Sequence, residues 1–594
     1  MDRISITSFG LVCALTACGS SSTPTPPAGS AGSTPVGPTA GAGGAGTGTA
    51  GTAGGGVTAG SGNPGGGAAS VAGSGSGVAG SGSGVAGGGS GVAGSGAGGA
   101  GAGTAGAGGG ATGPATALVT SAANAYWKTA DIMTVTTGTA DVTVDDSTVA
   151  QNWDGFGAAF NEMGWSYLNT PALQSQALQL LFGTEGTHFA WGRIPMGGSD
   201  YALKRYTLDD TGTDVVPDST ESNRPPKDTS LAMFSITHDN DNLLPFIKAA
   251  QGVNPALRFW SSPWTPPVWM KTGHDTHNGG DSSKAPTAPS YFDGGTMSSD
   301  AAILTAYAQY FVKFVAAYKA QNINIEYVAP ANEPNFEQNY PSCLWKSANF
   351  ATFIGTYLAP ALQTAGAGTK IMLGTLSNSS TSSNGDTVEG DQSVMNAVLN
   401  NATAKAAVTV AGAQWGMLDA SILGPIKTAG LPIWATEHKC GNYPWNPSGY
   451  PAYNTAQAPN DLAYAVESWG YLSNAINTIG VTSYNAWNMV LDKLGKGNDL
   501  SRDWKQDALL VVDGGAITQT PAYYVFRHLS QYVQVGAKVI KAPNANTVAF
   551  KNPDGTVVAV IYNSGAAKAN YIASVHGKLV QFAMPAAGWA TIKM

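Results

Sequence analysis

Eight apolar runs, each followed by a helix-like stretch, set the narrowest limit on what this chain can fold into. They cover residues 155–160, 189–195, 257–264, 325–334, 370–377, 408–416, 432–438 and 482–489. Strands that are apolar almost without interruption are buried on both faces, as in a parallel sheet wrapped by helices. Between them lie patterns such as 303–321, which sets Ala306, Tyr310, Phe314 and Ala317 on one helical face. Eight such units predict an α/β fold, a (β/α)8 TIM barrel, with a doubly wound open sheet as the alternative. The polar residues favour the barrel. Arg193, Trp264, Glu333, Glu437 and Trp487 all fall at strand C-terminal ends, the face on which barrel enzymes carry their chemistry.

Two of those ends are acidic: Ala331-Asn332-Glu333-Pro334 and Ala435-Thr436-Glu437-His438. A carboxylate leaving an apolar strand is costly to bury unless it is paired or put to use. Either glutamate alone reads as a salt bridge or a solvated loop end. Two at matched strand ends, three strands apart, face one another across a barrel mouth and supply a proton donor and a nucleophile for splitting a glycosidic bond. An ionised Glu437 would disfavour ionisation of Glu333 and keep the proton where a leaving group needs it. Pro334 is expected to fix the exit of its strand, and Asn332 suits a sugar 2-hydroxyl. Trp260, Trp264 and Trp269 crowd the same region; indole rings are flat platforms for sugar C–H faces, and Trp264, just before a loop, is the best placed.

The rest of the 594 residues divides by composition. Residues 1–18 read as a lipoprotein-type export signal: a short apolar core, then Leu15-Thr16-Ala17-Cys18, with Cys18 the lipidation site and ordinary secretion the alternative. Residues 19–127 are almost wholly Gly, Ala, Ser, Thr and Pro, which lack the apolar side chains to offset ordering entropy, so a flexible tether is expected. Residues 128–153 alternate like the strands of a β-sandwich, 154–512 hold the barrel, and 513–594 return to short alternating strands that complete the sandwich. The net charge of −8 and the lack of basic runs argue against nucleic acid. Contact with a membrane is expected only through the lipid on Cys18. Cys343 and Cys440 are either a disulfide bracing the cleft rim or two separate buried thiols, and no Cys-x-x-Cys spacing suggests zinc. His274, Asp275, His277 and Asp281 read as a solvated polar loop over the groove rather than a cation site.

Five motifs now occur in a telling order: Gly155-Phe156-Gly157-Ala158-Ala159-Phe160, the 192–201 segment Gly-Arg-Ile-Pro-Met-Gly-Gly-Ser-Asp-Tyr, Ser262-Pro263-Trp264, Asn332-Glu333-Pro334 and Thr436-Glu437-His438. Together with the closing 521–530 segment they resemble glycoside hydrolase family 30, which includes glucosylceramidases and endo-β-1,6-glucanases. The resemblance implies Glu333 as acid/base and Glu437 as nucleophile. It places Arg193, Asp200, Trp264, Asn332 and Trp487 around the −1 sugar, with retention of configuration, no cofactor and no metal. One departure stands out: glucosylceramidases typically carry His-Trp-Tyr at the end of strand six, where this chain has Gln414-Trp415-Gly416. The Phe-Asn-Glu-Met-Gly-Trp stretch from Phe160 to Trp165 resembles polysaccharide-degrading members. The expectation is therefore an exported, monomeric retaining β-glycosidase acting on a polysaccharide or glycolipid, an endo-β-1,6-glucanase first. A glucosylceramidase-like enzyme or a xylanase is the alternative, and a non-catalytic surface carbohydrate-binding protein the reading outside enzymes.

Overall fold

The structure, a computed structural model, describes residues 117–211, 224–273, 290–379, 390–439, 462–499 and 506–594. The expected signal with Cys18, nearly all of the tether, the His274–Asp281 loop and Cys440 lie outside these residues.

Each of the eight apolar runs holds one barrel strand. In order these are Gly155–Ala159, Trp191–Pro195, Arg258–Ser262, Ile325–Val328, Lys370–Leu376, Val408–Gln414, Ile433–Glu437 and Ser483–Asn488. Neighbours pair in parallel, and the eighth strand pairs with the first, so the sheet closes and the open-sheet alternative falls. Alternation along each strand sorts the interior into layers. The lower layer is a dry plug of Trp191, Trp260, Met372, Val410 and Trp434. Two residues further along three of these strands sit Arg193, Ser262 and Thr436, the polar layer of the mouth. Room for the indoles comes from small neighbours: a Cβ on Gly157 would lie 2.6 Å from Trp191 Cβ and 2.4 Å from Asn485 Oδ1.

The helix expected over 303–321 runs Ala301–Ala320, started by Asp300, whose side chain accepts from the N–H groups of Ala302 and Ile303. Ala306, Tyr310 and Phe314 are buried against the barrel as the periodicity requires.

The opening and closing segments do share a β-sandwich. Its seven-stranded sheet runs Ala125–Thr129, Ala117–Ala122, Gly588–Lys593, Val557–Asn563, Thr547–Lys551, Lys538–Ile540, Val149–Asn152. Its four-stranded sheet runs Met133–Val135, Lys578–Met584, Lys568–Val575, Val142–Val144. Two expected boundaries move. The sandwich starts at Ala117 rather than 128, because Ala117–Ala122 pairs with Gly588–Lys593 at the other end of the chain, a partner that no local pattern reveals. It resumes at Lys538 rather than 513: Ala516–Gln519 pairs with Leu510–Asp513 outside both sandwich sheets, and Phe526 packs on Phe189 and Tyr484 of the barrel. The helix Pro521–Ser530 is the seam between the two parts. Phe526 meets His438 edge-on at 5.3 Å, while the His528 ring nitrogens bond Thr591 Oγ1 and Ser121 Oγ of the sandwich, both at 2.8 Å.

Candidate active site

Arg193 organises the mouth. Its strand points the guanidinium up from the tryptophan plug, where it is wholly buried and lies 4.4 Å from the centre of the Trp264 ring and 5.5 Å from that of Trp487. One nitrogen holds Glu437 Oε2 at 2.5 Å; another reaches Asn332 Oδ1 at 2.5 Å and Ser262 Oγ at 3.0 Å. Thr375 Oγ1 donates to the same Asn332 oxygen at 3.1 Å. With Oδ1 taken twice, the Asn332 Nδ2 is the group left to donate.

Glu437 ends a regular strand, and the next residue anchors it. His438 Nδ1 pairs with Tyr484 Oη at 2.6 Å and Nε2 with Ser468 Oγ at 3.0 Å. Burial pushes His438 down to about 3, so it stays neutral and adds no charge beside the carboxylate. Glu333 is built differently. Its φ of +43° lies in the left-handed region, which a residue ahead of proline rarely adopts. Pro334 therefore does not simply extend the strand; the chain turns sharply at the glutamate, held by the Glu333 N–H donating to Thr375 O at 3.2 Å. Its carboxylate has a neutral partner, Gln414, whose Nε2 donates to Oε1 at 2.9 Å.

The electrostatics follow from these partners. Burial first, then the charge of Glu437, pushes Glu333 up to about 8, against the pull of Gln414 and Arg193. Burial also raises Glu437, to about 7, but Arg193 opposes it more strongly than any other group. The Arg193 cation thus favours the charged form of Glu437, and burial beside that charge favours the neutral form of Glu333. Asp200 is buried beside them, raised to about 7 by desolvation and then by Glu333, and its Oδ1 has no hydrogen-bond partner within the protein. Trp264 and Trp487 stack at 5.4 Å and 25°, with Tyr201 edge-on to Trp487 at 6.1 Å.

All seven residues expected at the site therefore lie in one buried cluster at the C-terminal mouth. Of the three tryptophans, only Trp264 joins its wall: Trp260 is in the plug, and Trp269 donates to Asp209 Oδ2 at 2.9 Å on the outside of the barrel. Cys343 is a free buried thiol pushed up to about 12 by burial, and its expected partner Cys440 lies outside the described residues. No role at the site was expected for Gln414, Ser262 or Lys271. Lys271 is buried with its Nζ donating to Thr265 Oγ1 and to the carbonyls of Phe292, Gly294 and Ser342, at 2.7–2.9 Å, which ties the loop after Trp264 to its neighbours. A lysine just past a tryptophan-rich run gave no sequence signal for this. Gln414 did: it ends strand six, as Glu437 ends strand seven.

A barrel of this kind, with two buried glutamates at the ends of strands four and seven, defines a glycoside hydrolase. Family comparison agrees. Residues 153–400 match the glycosyl hydrolase family 30 TIM-barrel domain and 533–592 match that family's β-sandwich domain, and the chain belongs to this family. It is 26% identical over 443 residues to endo-1,6-beta-D-glucanase BGN16.3 of Trichoderma harzianum, covering 71% of this chain and 80% of that one. To mouse lysosomal acid glucosylceramidase it is 24% identical over 443 residues, 70% and 75% of the two chains. Among solved structures, the endo-beta1,6-glucanase BT3312 superposes with a TM-score of 0.64 at 22% identity, covering 80% of this chain and 98% of that one.

Proposed function

We propose that the enzyme is a retaining β-glycosidase in which Glu437 is the nucleophile and Glu333 the acid/base, and that it cleaves β-1,6-linked glucan internally. The observation that carries the first part is the asymmetry of the pair: a cation on Glu437, a neutral amide on Glu333. In the first step a Glu437 oxygen bonds to the anomeric carbon as the bond to the leaving oxygen breaks, and Glu333 gives that oxygen its proton. In the second, Glu333 takes a proton from water, the hydroxyl adds to the anomeric carbon, and Glu437 leaves as a carboxylate. Asn332, Asp200, Trp264 and Trp487 would hold the sugar ring, Asp200 through its unpartnered oxygen.

The substrate reading rests on the 26% identity to an endo-1,6-β-glucanase and on Gly416, which stands where glucosylceramidases typically carry a tyrosine. A Cβ there would already lie 3.3 Å from Ser377 O and 3.3 Å from Ser379 Oγ. Incubation with β-1,6-glucan, glucosylceramide and xylan, with products sized, tests it: short oligosaccharides from the first substrate alone are expected, and glucose from glucosylceramide alone overturns it. No helix among the described residues is long and apolar enough to cross a membrane. We propose attachment through acylated Cys18 and the tether; Cys18→Ala should release the enzyme from the membrane fraction and abolish labelling by a fatty-acid analogue.

A further inference from the structure

Gln414 ends the sixth barrel strand, is wholly buried, and lies next to both acid-bearing segments. Its Nε2 donates to Glu333 Oε1 at 2.9 Å, and it is the register partner of Glu437 on the neighbouring seventh strand. Its own oxygen accepts from Thr436 Oγ1 at 3.0 Å, and Thr436 is buried on the strand that carries Glu437. Two influences therefore fix which way the amide faces. The Thr436 hydroxyl favours the amide oxygen on its side, and the charge on Glu437 repels that oxygen from the other. An amide turned round would set its carbonyl dipole against two acidic groups.

We propose that Gln414 is a positioning residue that decides which oxygen of Glu333 carries the catalytic proton. An N–H donor on Oε1 excludes a proton from the face of Oε1 that it occupies, since two hydrogens would then meet there. The proton of the neutral acid is thereby assigned to Oε2, the oxygen available to a leaving group. Gln414 carries no titrating group, so it acts on the pH profile only through the two glutamates. Its N–H dipole favours the charged form of each glutamate, so losing it moves both limbs of the profile in one direction. This inference rests on Glu333 being the acid/base.

The test is Gln414→Leu, assayed over pH on two substrates: a β-linked oligosaccharide, whose departing alkoxide needs a proton, and a dinitrophenyl β-glycoside of the same sugar, whose leaving group does not. Positioning of the acid predicts a kcat loss of about 10²-fold on the oligosaccharide and a loss under tenfold on the activated substrate. Both pH limbs should move upward, with KM little changed. Gln414→His, which keeps a ring N–H at similar reach, should recover part of the oligosaccharide rate. Equal losses on both substrates with an unmoved profile would overturn the proposal, since a merely structural role lowers the amount of active enzyme and nothing else. Glu333→Gln, run alongside, separates the two readings. If it retains full oligosaccharide activity, the acid/base assignment itself fails. If it is inactive there while the Gln414→Leu profile stays put, only the role of Gln414 falls.

Discussion

The two glutamates are chemically identical and are held in opposite ways. Glu437 closes a regular strand, is anchored by the neutral His438, and faces the Arg193 guanidinium at 2.5 Å. Glu333 sits at a backbone kink with φ +43°, takes its side-chain hydrogen bond from the neutral Gln414 amide, and lies in the field of Glu437. A cation stabilises the charged form of one; burial and a like charge stabilise the neutral form of the other. In the proposed mechanism one residue type thus serves two roles, because its surroundings separate the proton affinities.

The largest effect expected from breaking this contrast is loss of the charged partner. Glu437→Ala should lower kcat roughly 10⁴-fold or more on every substrate, measured by initial rates, because no covalent intermediate forms. Glu333→Ala should lose about 10²–10⁴-fold on oligosaccharides and far less on dinitrophenyl glycosides. Azide should then restore turnover and give a β-glycosyl azide, seen by mass spectrometry.

Arg193→Met removes the cation itself. Both glutamates should then titrate higher, so the acid limb of kcat/KM, where Glu437 gains its proton, moves up by about 1 pH unit or more. Substrate docking alone would change KM and leave that limb in place.

Asp200→Asn probes the cost of crowding acids. The folded carboxyl is raised to about 7, above its unfolded value of about 3.9. Its contribution to stability is therefore complete below about pH 4 and is lost as pH climbs through 7. Asparagine removes that loss, so the Tm should rise at pH 8 and barely change at pH 4, while activity falls. The smallest effect belongs to the anchor: His438→Phe leaves Tyr484 and Ser468 without their ring partner, at a cost of about 1–3 kcal/mol by denaturant unfolding.

Much of this was legible in the residues. A buried strand must be apolar over its length whatever surrounds it, so all eight barrel strands stood out, and an acidic residue at the end of such a strand advertises itself. Arg193, Asp200, Trp264 and Asn332 were readable through ordered motifs, and Trp487 as a polar-handled ring at a strand end. The strand Ala117–Ala122 was not, since its pairing partner is Gly588–Lys593 and short polar-flanked strands carry little signal alone. The segment 513–530 was expected in the sandwich, but what a helix packs against is not a local property, and Phe526 packs on Phe189 and Tyr484 of the barrel.

The sequence by itself determined the eight buried strands and the two acidic strand ends, because periodicity and the cost of burying charge are local properties of a chain. Tertiary structure alone decided that Arg193 pairs with Glu437 rather than Glu333, that Asn332 keeps only its N–H groups to offer, and that Gln414 lies between the two acids. Those are matters of which side chains, from strands far apart in the chain, converge within hydrogen-bonding distance where water is excluded, and only closure of the barrel brings them there.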